Sequence, residues 1–251
     1  MNAAIFRFYG ELNDFLPLKH RQRDIEYGFQ NTPAVKDAIE ALGVPHTEVD
    51  LIVVNGQSVG FSYRLRDGDR VAVYPVFESL DISPIVQLRE KPLRRIAFVA
   101  DVHLGKLARL LRLLGFDTLH SNSYHDSELV AIAAKGRILL TRDRDLLKHN
   151  AVTHGYWLRS TDPVEQAREV VRRFNLENLT DPFRRCLVCN GLLAPVAKGG
   201  ILARIPPRIA VEQNEFFCCT NCQKLYWRGT HYPKLEKRIV AIVGNMDKKS
   251  P

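Results

Sequence analysis

Two Cys-x2-Cys pairs, Cys186-Leu-Val-Cys189 and Cys219-Thr-Asn-Cys222, are separated by 29 residues (190–218), and nothing else in the chain restricts its folding as strongly. Each pair fits a tight turn with both sulfurs facing one point, and two such turns supply the four thiolates of a tetrahedral structural Zn²⁺ site. A closed site of this kind has no open coordination position, so it performs no catalysis, and losing the metal should unfold the segment around it. Cys218 is left over; it can replace Cys219 in the second pair, but spacing favours Cys219. The intervening APVAKGGILARIPP stretch predicts the hairpin of a zinc ribbon over about residues 180–235. Neither pair stands at the strand-to-helix start expected of a thioredoxin-like dithiol.

All five cysteines fall in this ribbon segment, so they read as metal ligands of a reducing compartment rather than as a disulfide framework. No apolar run approaches the roughly 20 residues needed to span a bilayer, and the start, MNAAIFRFYGELND, lacks a basic stretch followed by an apolar one. A cytoplasmic protein with no membrane contact is expected. Charge is distributed unevenly. Of 36 basic and 28 acidic residues, 1–80 carry 8 and 11, which leaves 28 and 17 for 81–251. An acidic N-terminal piece therefore precedes a strongly basic remainder, and nucleic acid is the first candidate among polyanionic partners.

AIFRFYG alternates apolar and polar residues, and QRDIEYGF does so less cleanly; both predict strands. Thr32 at the N-cap, Pro33 at the first helical position and Val35, Ala38, Ile39 and Leu42 at three-to-four spacing predict a helix ended by Gly43. LIVV then leads into an Asn55-Gly56 hairpin turn, and Asp67-Gly68 precedes a last strand, RVAVYP. This β-β-α-β-β order, with VDLIVVNGQSV and LRDGDRVAVYPV, resembles the ubiquitin-like β-grasp fold of bacterial sulfur-carrier proteins over residues 1–80. Those carriers end in a Gly-Gly tail; here the segment runs on through Phe77-Glu78-Ser79-Leu80. An accessory or docking module for an unknown protein partner is expected instead. Residues 81–92 read as a linker.

From residue 93 to 175 strands alternate with helices. RIAFVA ends at Asp101, and KLARLLRLLG is a helix with Leu107, Leu110, Leu111 and Leu114 on one side and Lys106, Arg109 and Arg112 largely on the other. A strand at 118–120, the helix DSELVAIAAKG, the strand RILLT, a helical piece near DLLKH, the strand GYWLR and the helix PVEQAREVVRRF follow. The alternation predicts an α/β domain with a parallel sheet covered by helices. Ligands of such sheets sit beyond the carboxyl ends of the strands. Asp101 and Asp143 occupy such ends, with Asp145 close by; Asp126 and Glu128 open a helix. Each can equally cap a helix or favour its dipole. Carboxylates gathered in one crevice call for a hard cation, Mg²⁺ or Mn²⁺.

DVHLGKLARLLRLLGFDT, the helix beginning at Asp126 and GRILLTRDRDLL together resemble the Mut-seven C-terminal ribonuclease family, whose domain is PIN-like. Members carry a zinc ribbon after the nuclease domain, and some carry a ubiquitin-like domain before it, the order found here. The resemblance implies metal-dependent hydrolysis of RNA at Asp101, Asp126 and Asp143, with Asp145 and Glu128 as further acids. His103 stands where many relatives have an apolar residue. Asp101-Val102-His103 also matches the D-x-H opening of calcineurin-like metallophosphoesterases, but the G-D-x-x-D and G-N-H motifs those enzymes need are missing. A non-catalytic RNA-binding module is the remaining alternative.

Lys106, Arg109, Arg142 and Arg144 border the acids and suit contacts to backbone phosphates. After the last cysteine, YWRGTHYPK places Trp227, His231 and Tyr232 among cations, which suits either base stacking or packing against the ribbon. Residues 236–251 read as a C-terminal tail.

Overall fold

The computed structural model describes residues 2–75 and 96–244. The expected linker and the Phe77–Leu80 stretch lie outside these residues, as does the end of the expected tail. The described residues form two compact units, 2–75 with 126–157 and 96–125 with 158–244.

The first unit opens with strands β1 (Asn2–Phe8) and β2 (Ile25–Phe29), helix α1 (Val35–Ala41), and strands β3 (Leu51–Val54), β4 (Gln57–Val59) and β5 (Arg70–Tyr74). Their sheet order is β2-β1-β5-β3-β4, with β1 and β5 parallel and the other neighbours antiparallel. This is the ubiquitin-like mixed sheet, with one short strand, β4, beyond those expected. Alternation along β1 turns Ala4, Phe6 and Phe8 inward onto Ile39, Ile52 and Leu65. The helix starts later than expected. Thr32 and Pro33 lie outside it, and its first N–H groups are satisfied not by a side-chain cap but by backbone: Val35 N–H donates to Tyr63 O (2.8 Å) and Lys36 N–H to Phe61 O (3.4 Å). Gly43, at φ 103°, ends it as expected.

The middle of the chain contributes four short parallel strands alternating with helices, an α/β fold. Strand β6 (Ala97–Ala100) is followed by α2 (Gly105–Leu113) and β7 (Asp117–Leu119), which runs parallel to β6. Helix α3 (Asp126–Ala133), strand β8 (Ile138–Thr141), α4 (Arg144–Leu147) and β9 (Gly155–Trp157) belong to the first unit, and β9 runs parallel to β8. Every residue of β6 and β8 is buried, as strands covered on both faces require. Helix α5 (Pro163–Arg173) is capped by Asp162, whose carboxylate accepts from Val164 and Glu165 N–H.

The cysteine segment comprises β10 (Leu193–Pro195), a 3₁₀ turn over Lys198–Arg204, α6 (Pro207–Glu212), β11 (Phe216–Cys219) and β12 (Leu225–Trp227), in an antiparallel sheet of order β10-β11-β12. The expected simple hairpin is thus replaced by a 3₁₀ turn and a helix, because Ile201 and Ile205 fold back to cover Phe216. The stretch read as a tail opens inside a helix, α7 (Tyr232–Val243), which packs on α5 through Ile239 and Ile242 and takes the Arg168 Nε hydrogen bond on Ala241 O (2.6 Å).

Candidate functional site

The cysteine site is one turn built twice. Cys186 N–H donates to Gly191 O (2.8 Å) and Asn190 N–H to Cys186 O (3.0 Å), with Asn190 at φ 68°. Likewise Cys219 N–H donates to Lys224 O (2.9 Å) and Gln223 N–H to Cys219 O (3.1 Å), with Gln223 at φ 59°. Each left-handed residue reverses the chain so that both sulfurs of its pair face inward. The Sγ atoms of Cys186 and Cys222 are 3.6 Å apart, those of Cys189 and Cys219 3.4 Å, and all four lie within 4.8 Å of one another. Zn–S bonds of about 2.3 Å in a tetrahedron set a sulfur–sulfur edge of about 3.8 Å, so the set fits a zinc ion. Cys218 is outside it, and its Sγ faces Gln223 Oε1.

Surrounding groups hold the sulfurs. Asn221 and Cys222 N–H both donate to Cys219 Sγ (3.4 Å), and Tyr226 OH contacts Cys186 Sγ at 3.1 Å while accepting from Leu187 N–H. A Cβ on Gly191 would lie 2.8 Å from Cys219 Sγ, so only glycine lets the two turns close. Four thiols this close cannot all ionise unaided. Burial opposes the Cys189 thiolate, yet the Gly191 backbone and the neighbouring thiols bring its pKa down to about 6. At Cys222 the Lys224 backbone favours the anion, but burial and the three other thiols push the pKa up to about 12. A divalent cation removes that conflict.

Arg112 corrects the reading of α2. It does not share the solvent side with Lys106 and Arg109, which are exposed; it is 4% exposed. Its Nε donates to Thr118 O (2.9 Å), and its Nη1 to Leu187 O (3.3 Å) and Val188 O (2.8 Å), the two residues between the first pair of cysteines. Burial lowers its pKa, while Cys186 and Cys189 act to raise it. Beside it, Asn190 donates to Asp117 Oδ1 (2.8 Å) and accepts from Thr118 N–H (3.0 Å). Arg185 binds Gly115 O, Asn190 O and the Asp117 carboxylate. The first cysteine turn is therefore bolted to α2 and β7 by buried polar groups. Sequence reasoning missed Arg112, Asn190 and Tyr226.

Asp101 lies at the end of β6, half-buried, and its Oδ1 accepts from Val102 N–H (2.6 Å) as the chain enters a 3₁₀ turn leading into α2. His103, on that turn, is exposed. Asp126 and Glu128 are exposed in the first turn of α3. Asp143 follows β8 after one residue and caps α4, accepting from Asp145 N–H (2.8 Å); Asp145 pairs with Lys148 (3.0 Å). The Asp143 carboxylate thus meets the backbone of Asp145, whose own carboxylate is turned to Lys148. Among the described residues, no second group of three or more His, Cys, Asp or Glu side chains converges as the cysteines do.

Of the cations beside Asp143, Arg142 is exposed, whereas Arg144 is half-buried and turns toward the 3₁₀ segment Gly10–Phe15 of the ubiquitin-like domain. Its guanidinium lies 4.2 Å from the Trp157 ring and 5.1 Å from the Phe15 ring, and it donates to Asp14 O and Phe15 O. Trp157 in turn donates to Arg142 O (3.1 Å) through its indole and to Glu48 Oε1 (2.6 Å) through its backbone. Nearby, buried His46 donates from Nε2 to Val152 O (2.8 Å). In the ribbon, Trp227 packs against Phe216, Tyr232 stacks on Phe183 (4.6 Å), and His231 is exposed.

A ubiquitin-like sheet, a parallel α/β sheet and a four-cysteine metal centre thus follow one another along this chain. Residues 96–239 match the family model described as Mut7-C RNAse domain, and residues 1–81 match the one described as Mut7-C ubiquitin. The first match spans more than half of the 251 residues, and the chain belongs to the Mut7-C RNAse domain family. No curated protein and no solved structure matches it.

Proposed function

We propose that this protein is a metal-dependent ribonuclease that hydrolyses RNA phosphodiester bonds. The observation that carries the proposal is the match of residues 96–239 to the Mut7-C RNAse domain. Asp101, Asp126 and Asp143 hold the cation, with Asp145 and Glu128 close enough in sequence to join them or to orient water. Two features support these acids. Each follows a parallel strand or opens the helix after one, and their carboxylate oxygens are the donors that Mg²⁺ and Mn²⁺ prefer. A bound divalent ion supplies Lewis acidity toward the phosphate and a more acidic water.

Lys106, Arg109 and Arg142, all exposed, neutralise backbone phosphates and hold the strand in register. Arg144 has its guanidinium between two aromatic rings, so its part is to hold the residues on either side of Asp143. The ribbon carries structural Zn²⁺ and extends the RNA surface through His231 and the outer edges of Trp227 and Tyr232.

A second reading has its own support: Asp101 and Asp143 each accept a nearby backbone N–H, as caps do, which is enough for an RNA-binding module without cleavage. Labelled single-stranded RNA incubated with zinc-loaded wild type, Asp101→Asn and Asp143→Asn, with and without Mn²⁺, separates the two. The ribonuclease reading expects Mn²⁺-dependent product from wild type alone, with RNA binding kept by both variants. Equal binding by all three proteins without any shortening of the RNA establishes the binding module.

A further inference from the structure

Arg112 is the most deeply buried cation touching the ribbon, and among the described residues every hydrogen-bond partner of its guanidinium is a neutral carbonyl. A buried charge with no counter-charge is costly, and carbonyl dipoles compensate only part of the lost hydration. The uncompensated positive charge sits against Leu187 and Val188, the two residues that join ligands Cys186 and Cys189. Four thiolates on one divalent ion leave a net charge of about −2, with Cys186 and Cys219 buried, Cys189 half-buried and Cys222 at the surface. The buried guanidinium lacks the counter-charge that the buried side of a loaded centre supplies.

We propose that Arg112 is the counter-cation of the loaded four-cysteine centre, so that metal occupancy governs the order of α2 and β7 and not of the ribbon alone. The geometry links the three. One guanidinium grips the β7 backbone at Thr118 O and the cysteine turn at Leu187 O and Val188 O. Asn190, the left-handed residue of that turn, closes the same circuit on Asp117 and Thr118 N–H. The chain entering the ribbon is tied down too: Asp181 N–H donates to Leu114 O (2.9 Å) and Phe183 N–H to Leu113 O (3.1 Å), at the end of α2. Without the ion the cysteine turn is no longer clamped to its partner turn beside the guanidinium, and Arg112 is left buried against carbonyl dipoles. Water must then enter beside α2 and β7, or the turn must swing away from them.

The test uses the full chain and Zn²⁺ itself. Competition with a chromogenic chelator measures zinc affinity for wild type, Arg112→Gln, Arg112→Lys and, as a control on the exposed face of α6, Arg208→Gln. Hydrogen exchange of wild type before and after zinc removal follows residues 105–119 separately from the ribbon. We expect Arg112→Gln to weaken zinc binding by about 10- to 100-fold, as losing an outer-sphere partner of a metal ligand does. Arg112→Lys keeps the charge without the fork and falls between, and Arg208→Gln matches wild type. Zinc removal should speed exchange in α2 and β7 together with the ribbon. The proposal is overturned if Arg112→Gln binds zinc within about twofold of wild type, or if α2 and β7 keep their protection after the metal is gone. Should Arg112→Gln fail to fold, Arg112→Lys and the wild-type exchange data still decide.

Discussion

Arg112 and Arg144 are two cations that sequence pattern assigns to polar or phosphate-facing positions, and both instead point into the protein to hold an appended domain. Their surroundings differ. Arg112 is almost fully buried, bonded to carbonyls and beside thiolates, whereas Arg144 is half-buried between the faces of Phe15 and Trp157. Desolvation makes the first dependent on a strong local negative charge. The second keeps water at its edge, and the ring quadrupoles suffice. On the proposal above the ribbon is joined to its unit conditionally, through a metal, while the ubiquitin-like domain meets residues 142–157 through Arg144 on Phe15 and Trp157 and through hydrogen bonds that need no cofactor.

Metal removal should separate the two regions most strongly. Structural zinc accounts for about 10 kcal/mol of apparent folding energy in small thiolate sites. Stripping it should abolish exchange protection in the ribbon and lower the melting temperature by more than about 10 °C; a shift under about 2 °C breaks the comparison. Next in size is Arg112→Gln, expected to cost about 3 kcal/mol in zinc-loaded protein by urea titration. Arg144→Ala should cost only about 1 kcal/mol. A thermodynamic cycle sharpens the contrast: Arg112→Gln and zinc removal should be non-additive, because they remove one interaction, whereas Arg144→Ala and zinc removal should add. The smallest effect concerns RNA. Lys106→Gln should weaken RNA binding about threefold and reduce the salt slope by about one, while Arg144→Gln should leave that slope unchanged, its guanidinium being held on Phe15 and Trp157.

What the sequence discloses follows from how local each cause is. The four-cysteine cluster was legible because two residues between cysteines fix a turn, and the helices and parallel strands because their apolar periods are local. The α1 start was misplaced because a backbone partner at Tyr63 outcompetes a Thr32 cap. The 3₁₀ turn and helix between the cysteine pairs were missed because Ile201 and Ile205 bury themselves on Phe216, a contact no local pattern encodes. Arg112 reaches carbonyls 75 and 76 residues away and Arg144 carbonyls 129 and 130 residues away, so a helical wheel shows each as polar and cannot show what it meets. Asp101 and Asp143 were legible as strand-end residues for the same local reason, and their capping bonds were foreseen. A role in gripping a cation depends on how carboxylates distant in sequence meet, which periodicity does not reveal.

Manganese binding tests that role without the interference of contaminating nucleases. Titrating Mn²⁺ into zinc-loaded wild type, Asp101→Asn and Asp143→Asn, with free Mn²⁺ read by electron paramagnetic resonance, should show a saturable site in wild type that both substitutions weaken by at least about tenfold. Identical, non-saturating curves for all three folded proteins would contradict a catalytic cation held by these acids.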